Sequence, residues 1–117
     1  MFTDLQAAYI AGLFDGEGYA NMVTSNGSSY SQPSIVIGNT VRKPLDWLAE
    51  RIECSRVDDR GHSNPQPQWK PFFAWRMSCK RHSYQFLRAI RPYLQIKESR
   101  ADEMLAALAT QYPELAS

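Results

Sequence analysis

A chain of 117 residues, 44% apolar and 21% charged, has the size and balance of one soluble globular domain spanning residues 1–117 with a modest core. It holds no apolar run long enough to cross a bilayer and no basic-then-apolar leader, so it is expected in the cytoplasm or an organellar matrix, not secreted, and without a membrane partner. The net charge of +1 is low for a nucleic-acid binder, but it is segregated: residues 55–100 carry 10 basic and 3 acidic groups, while the segments on either side are acidic. Such segregation can build a positive face on a nearly neutral molecule.

Thr3-Asp4-Leu5-Gln6 reads as a helix start, with Thr3 or Asp4 as cap and Gln6 completing a capping pattern. The helix is expected over 4–15, ending in Gly16-Glu17-Gly18. Ala8, Gly12 and Gly16 then lie at i, i+4 and i+8, a small-residue ridge that lets a second helix approach closely. Glycine is a poor helix former, so this ridge needs a reason.

A strand over 19–25, an Asn26-Gly27-Ser28-Ser29 turn and a strand over 30–38 form a hairpin, in which Pro33 is tolerable only at an edge or bulge. A short helix over 43–53 puts Pro44 in its first turn and Leu45, Leu48, Ala49 and Ile52 on one face. A third strand over 56–60, a proline-rich loop over 61–71 and a fourth strand over 72–79 follow. The fourth places Phe73, Trp75 and Met77 on one face and Ala74, Arg76 and Ser78 on the other. A helix over 82–91 buries Phe86, Leu87 and Ile90 and stops at Pro92; the last, over 97–110, buries Ala101, Met104, Leu105 and Leu108.

The order α-β-β-α-β-β-α-α implies an α+β fold: one four-stranded antiparallel curved sheet with helices on one face. The other face stays open and polar, with Asn21, Ser25 and Arg76 at alternating positions. Cys54 and Cys79 read as buried, reduced thiols, and a zinc site is disfavoured because no second pair or suitably spaced histidine accompanies them. His62 and His82 read as ordinary surface histidines.

The run Ile10-Ala11-Gly12-Leu13-Phe14-Asp15-Gly16-Glu17-Gly18 resembles the signature of the LAGLIDADG homing endonucleases, Asp15 matching its first acid and Glu17 its second. The αββαββα(α) order extends the resemblance across nearly the whole chain. Only one signature copy fits this length, so the resemblance implies a homodimer in which helix 1 crosses helix 1 through Ala8, Gly12, Asp15 and Gly16. It implies Glu17 and the Gly16 carbonyl as ligands for Mg²⁺, with Mn²⁺ or Ca²⁺ as possible substitutes. Lys97, after Pro92-Tyr93-Leu94-Gln95-Ile96, and Asn39 match positions near the cleavage centre. Asp15 either orders the helix end by accepting backbone N–H bonds or is solvated.

Double-stranded DNA would be read by Asn21, Ser25, Asn26, Tyr30, Gln32, Arg56, Arg60, Gln68, Lys70 and Arg76, with Arg42 a weaker candidate. The implied activity is metal-dependent double-strand cleavage of a long, pseudo-palindromic site, as intron-associated homing enzymes perform it. The alternatives are a non-cleaving DNA-binding regulator or RNA-splicing maturase on the same fold, and an unrelated small α+β interaction protein.

Overall fold

The computed structural model describes residues 1–24, 27, 31–59 and 71–116. Helix α1 (Asp4–Glu17) leads directly into β1 (Gly18–Thr24) and β2 (Ser31–Asn39); α2 (Lys43–Arg51), β3 (Ser55–Asp59) and β4 (Phe73–Met77) follow, then α3 (Lys80–Ile90) and α4 (Glu98–Gln111). The strands form one antiparallel sheet in the order β1-β2-β4-β3. This is the expected α+β arrangement, with most element bounds shifted by one or two residues.

Local chemistry accounts for the elements. Thr3 caps α1: its side chain accepts the Gln6 N–H at 3.2 Å, and the Gln6 side chain accepts the Thr3 N–H at 3.0 Å. Gly27, in the expected hairpin turn, has φ +78°, a left-handed value that glycine adopts without a side-chain clash. Pro92 ends α3 by entering a short 3-10 turn, Arg91–Tyr93. Pro33 lies in a strand that is central by order, yet it pairs only with Met22 of β1. The ladder to β4 begins at Ile35, so the missing N–H of Pro33 interrupts no bond on that side.

The start of β2, beyond the reach of β4, is supported from α4 instead. The Gln111 side chain accepts the Ser31 N–H at 3.1 Å and donates to the Ser31 carbonyl at 2.5 Å.

One face of the sheet and the four helices enclose the core. Phe14, Ile35, Ile37, Leu45, Leu48, Trp75, Phe86, Leu87 and Ile90 are fully buried, and α4 adds Ala101, Met104 and Leu108. Phe86 is its hub, with Trp75 at 5.3 Å, Phe2 at 6.1 Å and Phe14 at 6.3 Å between ring centroids. No helix among the described residues is long and apolar enough to cross a membrane.

The cysteines differ from expectation. Cys54 and Cys79 are joined by a disulfide, Cys54 lies on an exposed turn and Cys79 is half-buried. His82 is also closer than its sequence position suggested. It follows Cys79 by one helical turn at the start of α3, with Nδ1 3.5 Å from the Cys79 sulfur. Only folding brings Cys54, from the α2–β3 turn, to the α3 N-terminus; the three-residue spacing of Cys79 and His82 is local, and it overturns the expectation that no suitably spaced histidine accompanies the cysteines.

Candidate functional site

The site begins at the C-terminal tip of α1. Ala7, Ile10, Ala11 and Phe14 bury one side of this helix, whereas Ala8, Gly12 and Gly16 are exposed. A Cβ added at Gly12 or Gly16 would meet nothing within 4 Å, so this chain leaves its small-residue ridge uncovered. Leu5 and Tyr9 flank the ridge and are 86% and 60% exposed. The helix is therefore apolar on both sides while its own chain covers only one, a pattern expected of a helix that is buried all round.

At the tip, two acids separated by one glycine behave differently. Asp15 is buried, and its carboxylate accepts three backbone N–H bonds: from Gln95 at 2.7 Å, Ile96 at 3.2 Å and Lys97 at 2.9 Å. Burial alone pushes its pKa up, but these three donors and the Lys97 charge outweigh burial and hold the carboxyl below its ordinary value. Asp15 thus ties α1 to the start of α4, the first of the two roles open to it from sequence. The resemblance also implied Asp15 in the dimer contact; its carboxylate is engaged within its own chain.

Glu17 is exposed and makes no hydrogen bond or ion pair among the described residues. The helix ends there, so the Gly16 carbonyl has no intrahelical partner. Lys97 is fastened at the same tip, its Nζ donating to the carbonyls of Phe14 at 3.0 Å and Gly18 at 2.5 Å. A cation at a helix C-terminus complements the carbonyl dipoles, and here it also brings an ammonium next to the residue following Glu17. Asn39 ends β2 two residues beyond the Gly18–Ile37 pair, and its Oδ1 accepts the Val41 N–H at 2.9 Å.

A hard-oxygen cation fits this donor set in type but not in number. Glu17 and the Gly16 carbonyl are hard oxygen donors. Among the described residues, no three acidic side chains converge within one chain; the single cluster of three metal-ligating groups is Cys54, Cys79 and His82. A second copy of the α1 tip would supply the missing oxygens.

The outer face of the sheet carries a continuous row. Tyr19 of β1 faces Val36 of β2, Val36 faces Arg76 of β4, and Arg76 faces Arg56 of β3. Asn21 and Gln32 lie on the same face, opposite Ser34 and Val23 respectively. Asn21 Oδ1 is shielded and accepts no hydrogen bond among the described residues. Asp58 lies between the two arginines, 3.2 Å from Arg56 Nε and 3.3 Å from Arg76 Nε, a relation the linear sequence did not announce. Arg42 stands apart at the α2 N-terminus, paired with Asp46 at 3.0 Å and over the Phe73 ring. Ser25, Asn26, Tyr30, Arg60, Gln68 and Lys70 lie outside the described residues.

No family model and no curated protein matches the sequence. Solved structures match its fold. The homing endonuclease I-CvuI, in complex with a DNA target, superposes with a TM-score of 0.68 at 19% identity, over 96% of this chain and 73% of that one. The archaeal intron-encoded homing endonuclease I-Vdi141I, complexed with DNA, gives 0.58 at 16% identity over 97% and 83%. The LAGLIDADG meganuclease I-AabMI, bound to uncleaved DNA, gives 0.66 at 13% identity over 95% of this chain and 39% of that one. At these identities the likeness concerns architecture: the chain has the fold of the LAGLIDADG homing endonucleases.

Proposed function

We propose that the protein is a LAGLIDADG-type homing endonuclease that cuts both strands of a long, pseudo-palindromic DNA site as a homodimer. The observation that carries this reading is the uncovered Ala8–Gly12–Gly16 ridge, which ends at the exposed and unengaged Glu17. Two ridges packed about a two-fold axis would cover the apolar outer side of α1 and bring two Glu17 carboxylates to one place. Neither carboxylate is neutralised within its own chain, so their approach calls for a cation.

Glu17 and the Gly16 carbonyl would hold Mg²⁺, and Mn²⁺ or Ca²⁺ could occupy the same oxygens. When bound, the metal supplies water activation and charge neutralisation at phosphate. Lys97 contributes positive charge at the same tip, positioned by the Phe14 and Gly18 carbonyls. Asn39 is assigned, by the resemblance, to the solvent network beside it. On each half-site the sheet face offers Arg56 and Arg76 to guanine edges or phosphates, Gln32 to adenine, and Asn21 through its amide donor, its Oδ1 being shielded. The similar structures are DNA complexes, which supports DNA as the partner.

Incubation with a randomised duplex pool and Mg²⁺, followed by sequencing of the new ends, tests the proposal. The expected product is recurrent cleavage at one pseudo-palindromic site with short 3′ overhangs. Selective retention of a sequence without new ends would instead identify a non-cleaving regulator, and specific RNA retention a maturase. Neither binding nor ends with any nucleic acid would leave an interaction protein.

A further inference from the structure

We propose that Cys54, Cys79 and His82 form a binding site for one thiophilic divalent cation, zinc by ligand class, which becomes available when the Cys54–Cys79 disulfide is reduced. This site is independent of the oxygen donors at the α1 tip. The two sulfurs and an imidazole nitrogen lie within 4.8 Å of one another. Cys79 caps α3 and His82 sits in its first turn, so one helical turn presents both ligands on the same side. Cys54 enters from the α2–β3 turn.

The distances suit a tetrahedral ion. Zinc bonds of about 2.3 Å to sulfur and 2.1 Å to nitrogen place those two atoms about 3.6 Å apart. The Cys79 sulfur and His82 Nδ1 are separated by 3.5 Å. The Cα atoms of Cys54 and Cys79 are 6.4 Å apart, and modest side-chain rotation would open the sulfurs to the roughly 3.8 Å that two thiolates on one zinc require. Because Cys54 is exposed, water can fill the fourth position.

The chemistry balances without the α1 site. Two monothiols, or one dithiol, deliver two electrons and two protons to the Cys54–Cys79 bond and leave as their own disulfide. The cation then displaces both thiol protons and is held by two thiolates and a neutral imidazole. Cys79 lies at the N-terminal end of α3, followed by Lys80 and Arg81. Two thiolates cancel the dication, so the filled site adds no net charge beside those cations. Soft sulfur ligands also select zinc over the hard magnesium assigned to the α1 tip.

Bound metal would act as a clip between the α2–β3 turn and the β4–α3 junction. Cys54 also lines a cavity with Ser34, Arg56 and Arg76, so the clip would fasten the turn that leads into the edge strand β3. Oxidation would exchange a metal clip for a disulfide clip at the same point.

The test uses the full chain, reduced and kept anaerobic, titrated with Co²⁺ and then Zn²⁺ in excess Mg²⁺. One equivalent of cobalt should produce thiolate-to-metal charge-transfer absorption, and one equivalent of zinc should abolish it. Cys54→Ser, Cys79→Ser and His82→Ala should each weaken zinc binding by more than about a hundredfold, exceeding the usual loss from an outer-shell change. Far-UV circular dichroism of each variant distinguishes site loss from unfolding. Diamide oxidation should release the metal and restore the disulfide. Absence of the charge-transfer band in the folded, reduced protein would overturn the proposal, as would unchanged zinc affinity in folded Cys54→Ser.

Discussion

Asp15 and Glu17 lie two residues apart on one helix end, and the environments of the two carboxylates could hardly differ more. Asp15 is buried and receives three backbone N–H bonds from residues about eighty positions away. Glu17 is exposed and engages nothing among the described residues. A helix turns 100° per residue, so a separation of two puts side chains on nearly opposite sides. The chain uses one acid to hold itself together and leaves the next one unengaged among the described residues. On the proposed function that division separates stability from activity, and substitutions can examine each part.

The largest effect is expected at Glu17. Glu17→Gln keeps the shape and removes the charge, so cleavage should fall by at least about a thousandfold while DNA retention and thermal midpoint stay close to those of the parent. Parallel nicking and gel-shift assays check this, and unimpaired nicking would remove Glu17 from the metal site. Asp15→Asn should do the reverse and lower stability by about 2 kcal/mol, because an amide nitrogen would face N–H donors. Urea unfolding reads that loss.

Acid should expose the same division in the unmodified protein. The folded-state pKa of Asp15 lies below its ordinary value of 3.8. Its stabilising contribution is therefore complete above that value and disappears as pH falls through the lower folded pKa. Unfolding midpoints should fall more steeply with acid in the parent than in Asp15→Asn, and equal slopes would reject the assignment. The mildest effect on the monomer belongs to Gly12→Leu. Open space at this position should leave the fold intact, while sedimentation shifts from dimer to monomer. An unchanged dimer would place self-association elsewhere.

The helices were legible because each signal is local. The Thr3–Gln6 capping box, Pro44 in the first turn of α2, the Phe86-Leu87-Ile90 stripe and the Pro92 stop all act within a turn or two. The open sheet face was legible for the same reason, since alternation in β4 assigns Trp75 inward and Arg76 outward whatever lies opposite. Relations that need two distant segments were harder. Sequence left two roles open for Asp15, and only the approach of residues 95–97 selects one. Lys97 could be placed near the α1 tip by resemblance, but not its grip on two carbonyls. The same limit hid Asp58 between Arg56 and Arg76, and the convergence of Cys54 on Cys79 and His82.

Gln111 shows what a single amide can do for an unfinished sheet. At Ser31, where no fourth-strand neighbour arrives, it offers one acceptor and one donor in the spacing of a peptide group. A bare edge of this kind invites foreign strands to dock and chains to stack. The C-terminal helix therefore serves as a stopper as well as a wall of the core. A chain cut just before Gln111 would keep the packing among Ala101, Met104 and Leu108, yet leave the Ser31 backbone groups open to self-adhesion.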